Sequence, residues 1–173
     1  YVGSFTLGTG QFCTKPGLVL APSGAPGDRL VKALTDAVSD TDAGVLLDHR
    51  MRDNFVAGIA ERAALPGVAA PVTPGGCDEN TVSAGFLTVP AAALAAPGPH
   101  DLLLEECFGP VTVLVRYEDD AEASAVLSRL PGNLTATVHL SAAEAAGEGR
   151  GAALLAEVTS LAGRVLVDGW PTG

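Results

Sequence analysis

The chain has 173 residues, 47% of them hydrophobic, with 21 Gly and 12 Pro, a composition that excludes both a disordered and a collagen-like chain. Only 17% are charged, 10 basic against 20 acidic for a net charge of -10, which argues against a basic face for nucleic acid. Gly, Pro, Asp or Arg breaks every apolar run well short of a membrane span, so no membrane partner is expected. The length suits one domain covering residues 1–173. A start at Tyr1 and a stop at Gly173 read as cuts, and we expect a piece excised from a longer polypeptide. The three cysteines, Cys13, Cys77 and Cys107, stand too far apart for a metal knuckle or a redox pair, and this odd count fits a reduced, cytoplasmic setting.

Taken in order, apolar runs alternate with segments of helical period, which predicts an α/β fold with an open, mainly parallel twisted sheet and flanking helices. Gly17 to Leu20 reads as a short buried strand. A helix from about Pro26 places Leu30, Ala33, Leu34, Ala37 and Val38 on one stripe. Asp48 can cap a second helix, in which Met51, Phe55, Ile59 and Ala63 recur every four residues until Leu65-Pro66-Gly67 stops it. Val68 to Gly85, rich in Pro and Gly, reads as strand and loop mixed, and Phe86 to Val89 as a strand. In V-T-V-L-V-R-Y, Val111, Val113, Val115 and Tyr117 share one face of a strand. Asp119 or Asp120 caps a helix running to Leu130. Leu134 to Leu140 is a strand, and Ser141 with Glu144 has capping-box spacing. The last helix carries Leu154, Leu155, Val158 and Leu161 and is expected to end at Gly163, before a strand from Arg164 to Asp168.

The densest chemical signal is Gly8-Thr9-Gly10-Gln11-Phe12-Cys13-Thr14-Lys15-Pro16-Gly17, a thiol in a Gly-flanked turn before a strand. A nucleophilic cysteine needs an accessible thiolate and nearby backbone N–H groups for a developing oxyanion, and such a turn supplies both. Lys15 can favour the thiolate. The plain structural alternative is a buried Cys.

G-Q-F-C-T-K-P-G-L resembles the nucleophile segment of the aldehyde dehydrogenase superfamily, with Cys13 at the catalytic thiol. Glu105-Glu106-Cys107-Phe108-Gly109-Pro110 resembles the E-E-x-F-G-P motif of that family. Gly163-Arg164-Val165-Leu166-Val167-Asp168-Gly169-Trp170-Pro171-Thr172-Gly173 resembles its closing G-R-V-L-x-N-G-x-P-T-G segment. The form around Cys13 is most similar to the branch containing NADP-preferring 2-oxoglutarate-semialdehyde dehydrogenases and related fatty-aldehyde enzymes. The resemblance implies a catalytic domain in which Cys13 attacks an aldehyde, Glu106 holds the nicotinamide ribose and Phe108 packs beside the cofactor, NADP or NAD. It implies Phe12, Thr14 and Trp170 as lining of the aldehyde pocket, and a homo-oligomer in the full-length protein.

Departures from the family pattern matter. The family's general base lies farther upstream of the thiol than the 12 residues that precede Cys13 here, as do the cofactor-binding domain and the amide that completes the oxyanion hole. These 173 residues alone are therefore expected to be inactive. Position 168 is Asp where relatives often have Asn, and the helix around Met51 and Asn54 lacks the Gln and Lys many relatives use near the ribose. Gly147-x-Gly149-x-x-Ala152 matches a dinucleotide fingerprint only formally, since a capping box and six residues separate it from the preceding strand. His49, His100 and His139 have no acid or thiol at ligand spacing, so no metal site is expected. Cys77 and Cys107 read as ordinary small hydrophobes. Two other readings stay open: a stand-alone cysteine acyltransferase or esterase drawing its base from one of those histidines, and a noncatalytic interaction domain.

Overall fold

The computed structural model describes residues 1–172. In chain order they form α1 (Val2–Thr6), β1 (Leu18–Pro22), α2 (Ala25–Ser39), β2 (Gly44–Val45), α3 (His49–Ala63), β3 (Ala69–Val72), β4 (Gly75–Gly76), β5 (Thr81–Ser83), β6 (Gly85–Pro90), β7 (Val111–Tyr117), α4 (Asp120–Leu127), β8 (Asn133–Val138), α5 (Ala142–Ala145), α6 (Gly151–Thr159) and β9 (Ala162–Val167). The fold is α/β, and its strands divide into three sheets. The main sheet has the order β1-β7-β6-β3, in which β7 runs parallel to both β1 and β6 while β3 closes the edge antiparallel. Pro71 sits in this edge strand, where its missing N–H breaks no central ladder. A small antiparallel sheet, β2-β5-β4, and a parallel pair, β8-β9, complete the set.

Both faces of the main sheet are covered, as expected of a sheet with flanking helices. Val113 and Val115 pack with Leu87, Val89, Leu94 and Val126. Leu114 and Phe86 project the other way, onto Phe5, Leu34 and Val38 of α1 and α2. Thr112, on that second face, shares a hydrogen bond with the Tyr1 hydroxyl, so its burial leaves no polar atom unpaired. Parallel strands flanked by helices read as continuous apolar runs for this reason. A third cluster, Leu46, Phe55, Ile59, Val82 and Val111, seats α3 on the small sheet, and a fourth, Leu127, Val138 and Val158, joins α4, α6 and β8.

Caps mark the helix starts that their sequences announce. The Asp48 carboxylate accepts from Met51 N at 2.9 Å, Asp119 accepts from Glu122 N at 2.9 Å, and Ser141 and Glu144 form a reciprocal capping box. The far ends differ from expectation. Helix α4 stops at Leu127 rather than Leu130, since only single-turn bonds from Arg129 and Leu130 follow it. Helix α6 stops at Thr159, and Gly163 lies inside β9 instead of ending the helix, because the turn closes earlier through Ser160 and Leu161. Cys77 is exposed on the turn after β4, so it is no buried hydrophobe, while Cys107 is half-buried. No helix among the described residues is long and apolar enough to cross a membrane.

Leu114 is fully buried in the central strand. Leu114→Ala should lower unfolding stability by about 3 kcal/mol, read from urea unfolding. A loss below about 1 kcal/mol would mean that this face of β7 is not the packed core described.

Candidate active site

Two loops enter the main sheet side by side, because β1 and β7 are parallel neighbours. The segment 7–17 leads into β1 and the segment 104–110 leads into β7, and the ladder between them opens with Val113 N donating to Gly17 O at 2.9 Å. Where the loops meet, backbone lies on backbone. A Cβ on Gly10 would stand 2.2 Å from Gly109 O, and Gly10 has φ +68°. No other residue type fits there.

The turn before the thiol holds three successive left-handed residues, Gly8, Thr9 and Gly10, with φ of 56°, 59° and 68°. For Thr9 this conformation is strained, and the neighbouring structure enforces it. Its side chain fills the space above Gly44, where a Cβ would be 2.3 Å from Thr9 Oγ1. Gln11 then fastens the turn to the end of β2. Its Nε2 donates to Gly8 O (2.9 Å) and Val45 O (3.1 Å), and its Oε1 accepts from Leu47 N (2.9 Å).

Beyond the thiol, Thr14 and Thr172 share a hydroxyl hydrogen bond of 3.0 Å, and Thr172 N donates to Ser4 Oγ at 3.2 Å. The closing segment is thereby drawn to the thiol loop. Trp170 is 45% exposed, stacked against the His139 ring at 4.3 Å and near Tyr1 at 5.6 Å. Gly173, the last residue of that motif, lies outside the described residues. Pinned at Gln11 and Thr14, the loop leaves Phe12 and Cys13 exposed, so Cys13 is not the buried cysteine of the plain alternative.

Lys15 does not act where the sequence suggests. Its ammonium donates to Cys107 O (2.8 Å) and Val111 O (3.0 Å), across the junction of the two loops, rather than serving the Cys13 thiol. Burial pulls its pKa down to about 8, against the opposing pull of Cys107 and Glu106. Arg62, only 5% exposed, works from the other side. It donates to Gly58 O (3.0 Å) and Glu105 O (3.2 Å). Burial pushes the Cys107 thiol up, which the nearby Arg62 and Lys15 cations partly offset.

With its carbonyls turned inward onto these cations, the 105–108 loop presents Glu106 and Phe108 outward, both exposed. They line a cleft of about 240 Å³ over α3, whose other walls include Met51, Asn54, Phe55 and Gly58. Cys13, Phe12, Thr14 and Trp170 are not among its lining residues. The structure therefore assembles two neighbouring parts, a thiol loop with the Trp170 segment and a Glu106–Phe108 cleft, joined through Lys15 and the Gly10–Gly109 contact. His100 is held away from both parts by Pro66 O at 2.8 Å. Among the described residues no three His, Cys, Asp or Glu side chains group as metal ligands would.

Gln11 and Arg62 escape a sequence reading directed at reactive groups. Arg62 does leave a signal, because it continues the buried stripe of Phe55 and Ile59 at the next helical step, where an apolar residue belongs.

The sequence pattern of the aldehyde dehydrogenase family matches residues 1–148. Alpha-ketoglutaric semialdehyde dehydrogenase 2 of Azospirillum brasilense is 38% identical over all of this chain and 32% of its own length. Alpha-ketoglutaric semialdehyde dehydrogenase of Acinetobacter baylyi is 30% identical over 99% of the chain and 32% of its own length. The chain thus spans about a third of these relatives. Among solved structures, gamma-glutamyl-gamma-aminobutyraldehyde dehydrogenase from Burkholderia cenocepacia superposes with a TM-score of 0.78 at 19% identity, over 99% of this chain and 34% of that one.

Lys15 has a lowered folded-state pKa, so between about pH 8 and its ordinary value of 10.5 the unfolded chain binds more protons and stability rises with pH. The raised Cys107 thiol acts oppositely, from its ordinary value of 9.0 upward, which leaves pH 8 to 9 to Lys15. Over that window the parent should gain stability relative to Lys15→Met in urea unfolding. Parallel curves would show that the ammonium is not buried.

Proposed function

Because the chain belongs to the aldehyde dehydrogenase family, we propose that it is the catalytic portion of an enzyme that oxidises an aldehyde to a carboxylate with NADP or NAD. The relatives' names point to 2-oxoglutarate semialdehyde as the substrate. The observation that carries the reading is the exposed Cys13 on a loop pinned by Gln11 and Thr14, beside a second loop that turns Glu106 and Phe108 outward.

The Cys13 thiolate adds to the aldehyde carbon, forming a C–S bond and an alkoxide that the Cys13 amide N–H can receive, which gives a thiohemiacetal. An exposed carboxylate beside an exposed ring suits the ribose end of a nicotinamide nucleotide: Glu106 would accept from the ribose hydroxyls and Phe108 would pack beside it. The cleft, at about 240 Å³, suits that end rather than a whole dinucleotide, in keeping with a nucleotide held mainly by a further domain. When bound, the nicotinamide supplies the acceptor for the hydride that leaves the thiohemiacetal carbon. Cys13 is then left carrying an acyl group as a thioester, which water hydrolyses. Phe12, Thr14 and Trp170 line the aldehyde side, with Thr14 held by Thr172 and Trp170 by its stack on His139. The setting is cytoplasmic, and the full enzyme is a homo-oligomer.

No residue among these 173 is assigned the role of deacylating base in this reading. Acylation without release should therefore be seen in the 173-residue chain. Mixed with p-nitrophenyl acetate, it should release about one p-nitrophenolate per chain and then stop, with the acetyl group on Cys13 by peptide mass. Cys13→Ser should abolish the burst, and aldehyde with NADP should yield no reduced cofactor. Sustained ester turnover that needs a histidine would support the cysteine hydrolase instead. A Cys13 no more reactive than Cys77 would support a noncatalytic domain.

A further inference from the structure

We propose that Lys15 is a positioning residue that ties the thiol loop to the loop bearing Glu106 and Phe108, and so holds the Cys13 amide in the orientation acyl transfer needs. The proposal rests on Cys13 as nucleophile. Lys15 follows the thiol by two residues, and its two acceptors, Cys107 O and Val111 O, bracket Phe108-Gly109-Pro110. A single side chain thereby fixes both ends of the turn that leaves the Glu106–Phe108 loop.

The choice of partners argues for geometry over stability. Among the described residues, Lys32, Arg50, Arg52, Arg116, Arg129 and Arg150 each meet a carboxylate. Lys15 and Arg62 meet main-chain carbonyls. A cation withdrawn from water onto carbonyls, with no carboxylate in hydrogen-bond contact, is destabilising relative to an apolar side chain of similar size, so packing alone does not account for a lysine here. Where such groups persist, what they supply is a fixed arrangement. The Gly10–Gly109 contact sets how closely the two loops approach at that point, and the Lys15 bonds on either side of Gly109 fix how they are turned. Arg62 steadies the same loop from α3 at Glu105 O, upstream of Glu106. On the thiol side, Gln11 and Thr14 complete the frame.

The test compares two reactions of one thiol in the 173-residue chain. Acetyl transfer from p-nitrophenyl acetate forms the Cys13 S–C bond, breaks the ester C–O bond, releases p-nitrophenolate and passes through an oxyanion, so it senses the amide's orientation. Displacement of iodide from iodoacetamide passes through none and senses only thiolate and access. In Lys15→Met, acetylation of Cys13 should slow about tenfold or more, while alkylation of Cys13 stays within about twofold of the parent. Lys15→Arg, which keeps charge and donors, should recover most of the acetylation rate. Far-UV circular dichroism checks folding, and Lys15→Gln, neutral and one atom too short to bridge both carbonyls, replaces Lys15→Met if the latter does not fold. Acetylation at the parent rate in folded Lys15→Met or Lys15→Gln would overturn the proposal, as would acetylation and alkylation changing together, or a folded Lys15→Arg as slow as Lys15→Met. A parent chain whose Cys13 takes no acetyl group would overturn the nucleophile reading itself, whatever the variants do.

Discussion

The parallel pairing of β1 with β7 is the constraint from which the site follows. Two parallel neighbours start at the same edge of a sheet, so the loops that feed them are adjacent whatever their sequence separation. Here those loops carry Cys13 and the Glu106–Phe108 segment. The pairing places motifs more than ninety residues apart in the chain at one rim, and the Gly10–Gly109 contact brings them together without intervening side chains. The burial of β7 on both faces fixes this arrangement, because a one-residue slip would exchange Leu114 and Thr112 with Val113 and Val115 in two different cores.

Much of the frame is legible in the residues. Asp48, Asp119 and Ser141 announce helices that the structure starts where they stand, and apolar or β-branched runs mark β1, β6, β7 and β8. What the residues do not announce is set by partners distant in sequence. The Val111 to Tyr117 alternation groups Val111 with Val113 and Val115, yet Val111 packs with Phe55 and Ile59 of α3, because local pattern carries no knowledge of which element covers each part of a face. Gly163 reads as a helix stop, yet the bonds of Ser160 and Leu161 end the helix earlier, and β8 draws Ala162 and Gly163 into its ladder. The split into three sheets is likewise tertiary, since nothing in the two-residue segments Gly44–Val45 and Gly75–Gly76 identifies them as strands without β5 between them.

The site divides in the same way. Cys13, Glu106 and Phe108 are recognisable because motif residues precede and follow them, and all three side chains are exposed. The supporting residues carry no such flag. Lys15 beside a thiol suggests electrostatic activation, a one-dimensional inference from adjacency, while its chain is long enough to reach Cys107 O and Val111 O across the loop junction. Arg62 looks like a helix-terminal cation, and only its place on the Phe55–Ile59 stripe betrays that it is buried. Candidate reactive groups are legible by type, and the residues that pin their loops only by contact.

That Lys15 and Arg62 grasp carbonyls has a bearing on how such a site can diversify. Every residue offers a carbonyl, so the grip is indifferent to side-chain identity at 105, 107 and 111. Substitutions at Glu105 or Cys107 leave the acceptors in place, and the loop keeps its path while its outward chemistry is free to drift. The loop's path is thus heritable separately from the side chains it displays, which gives mutation a region to explore without first dismantling the frame.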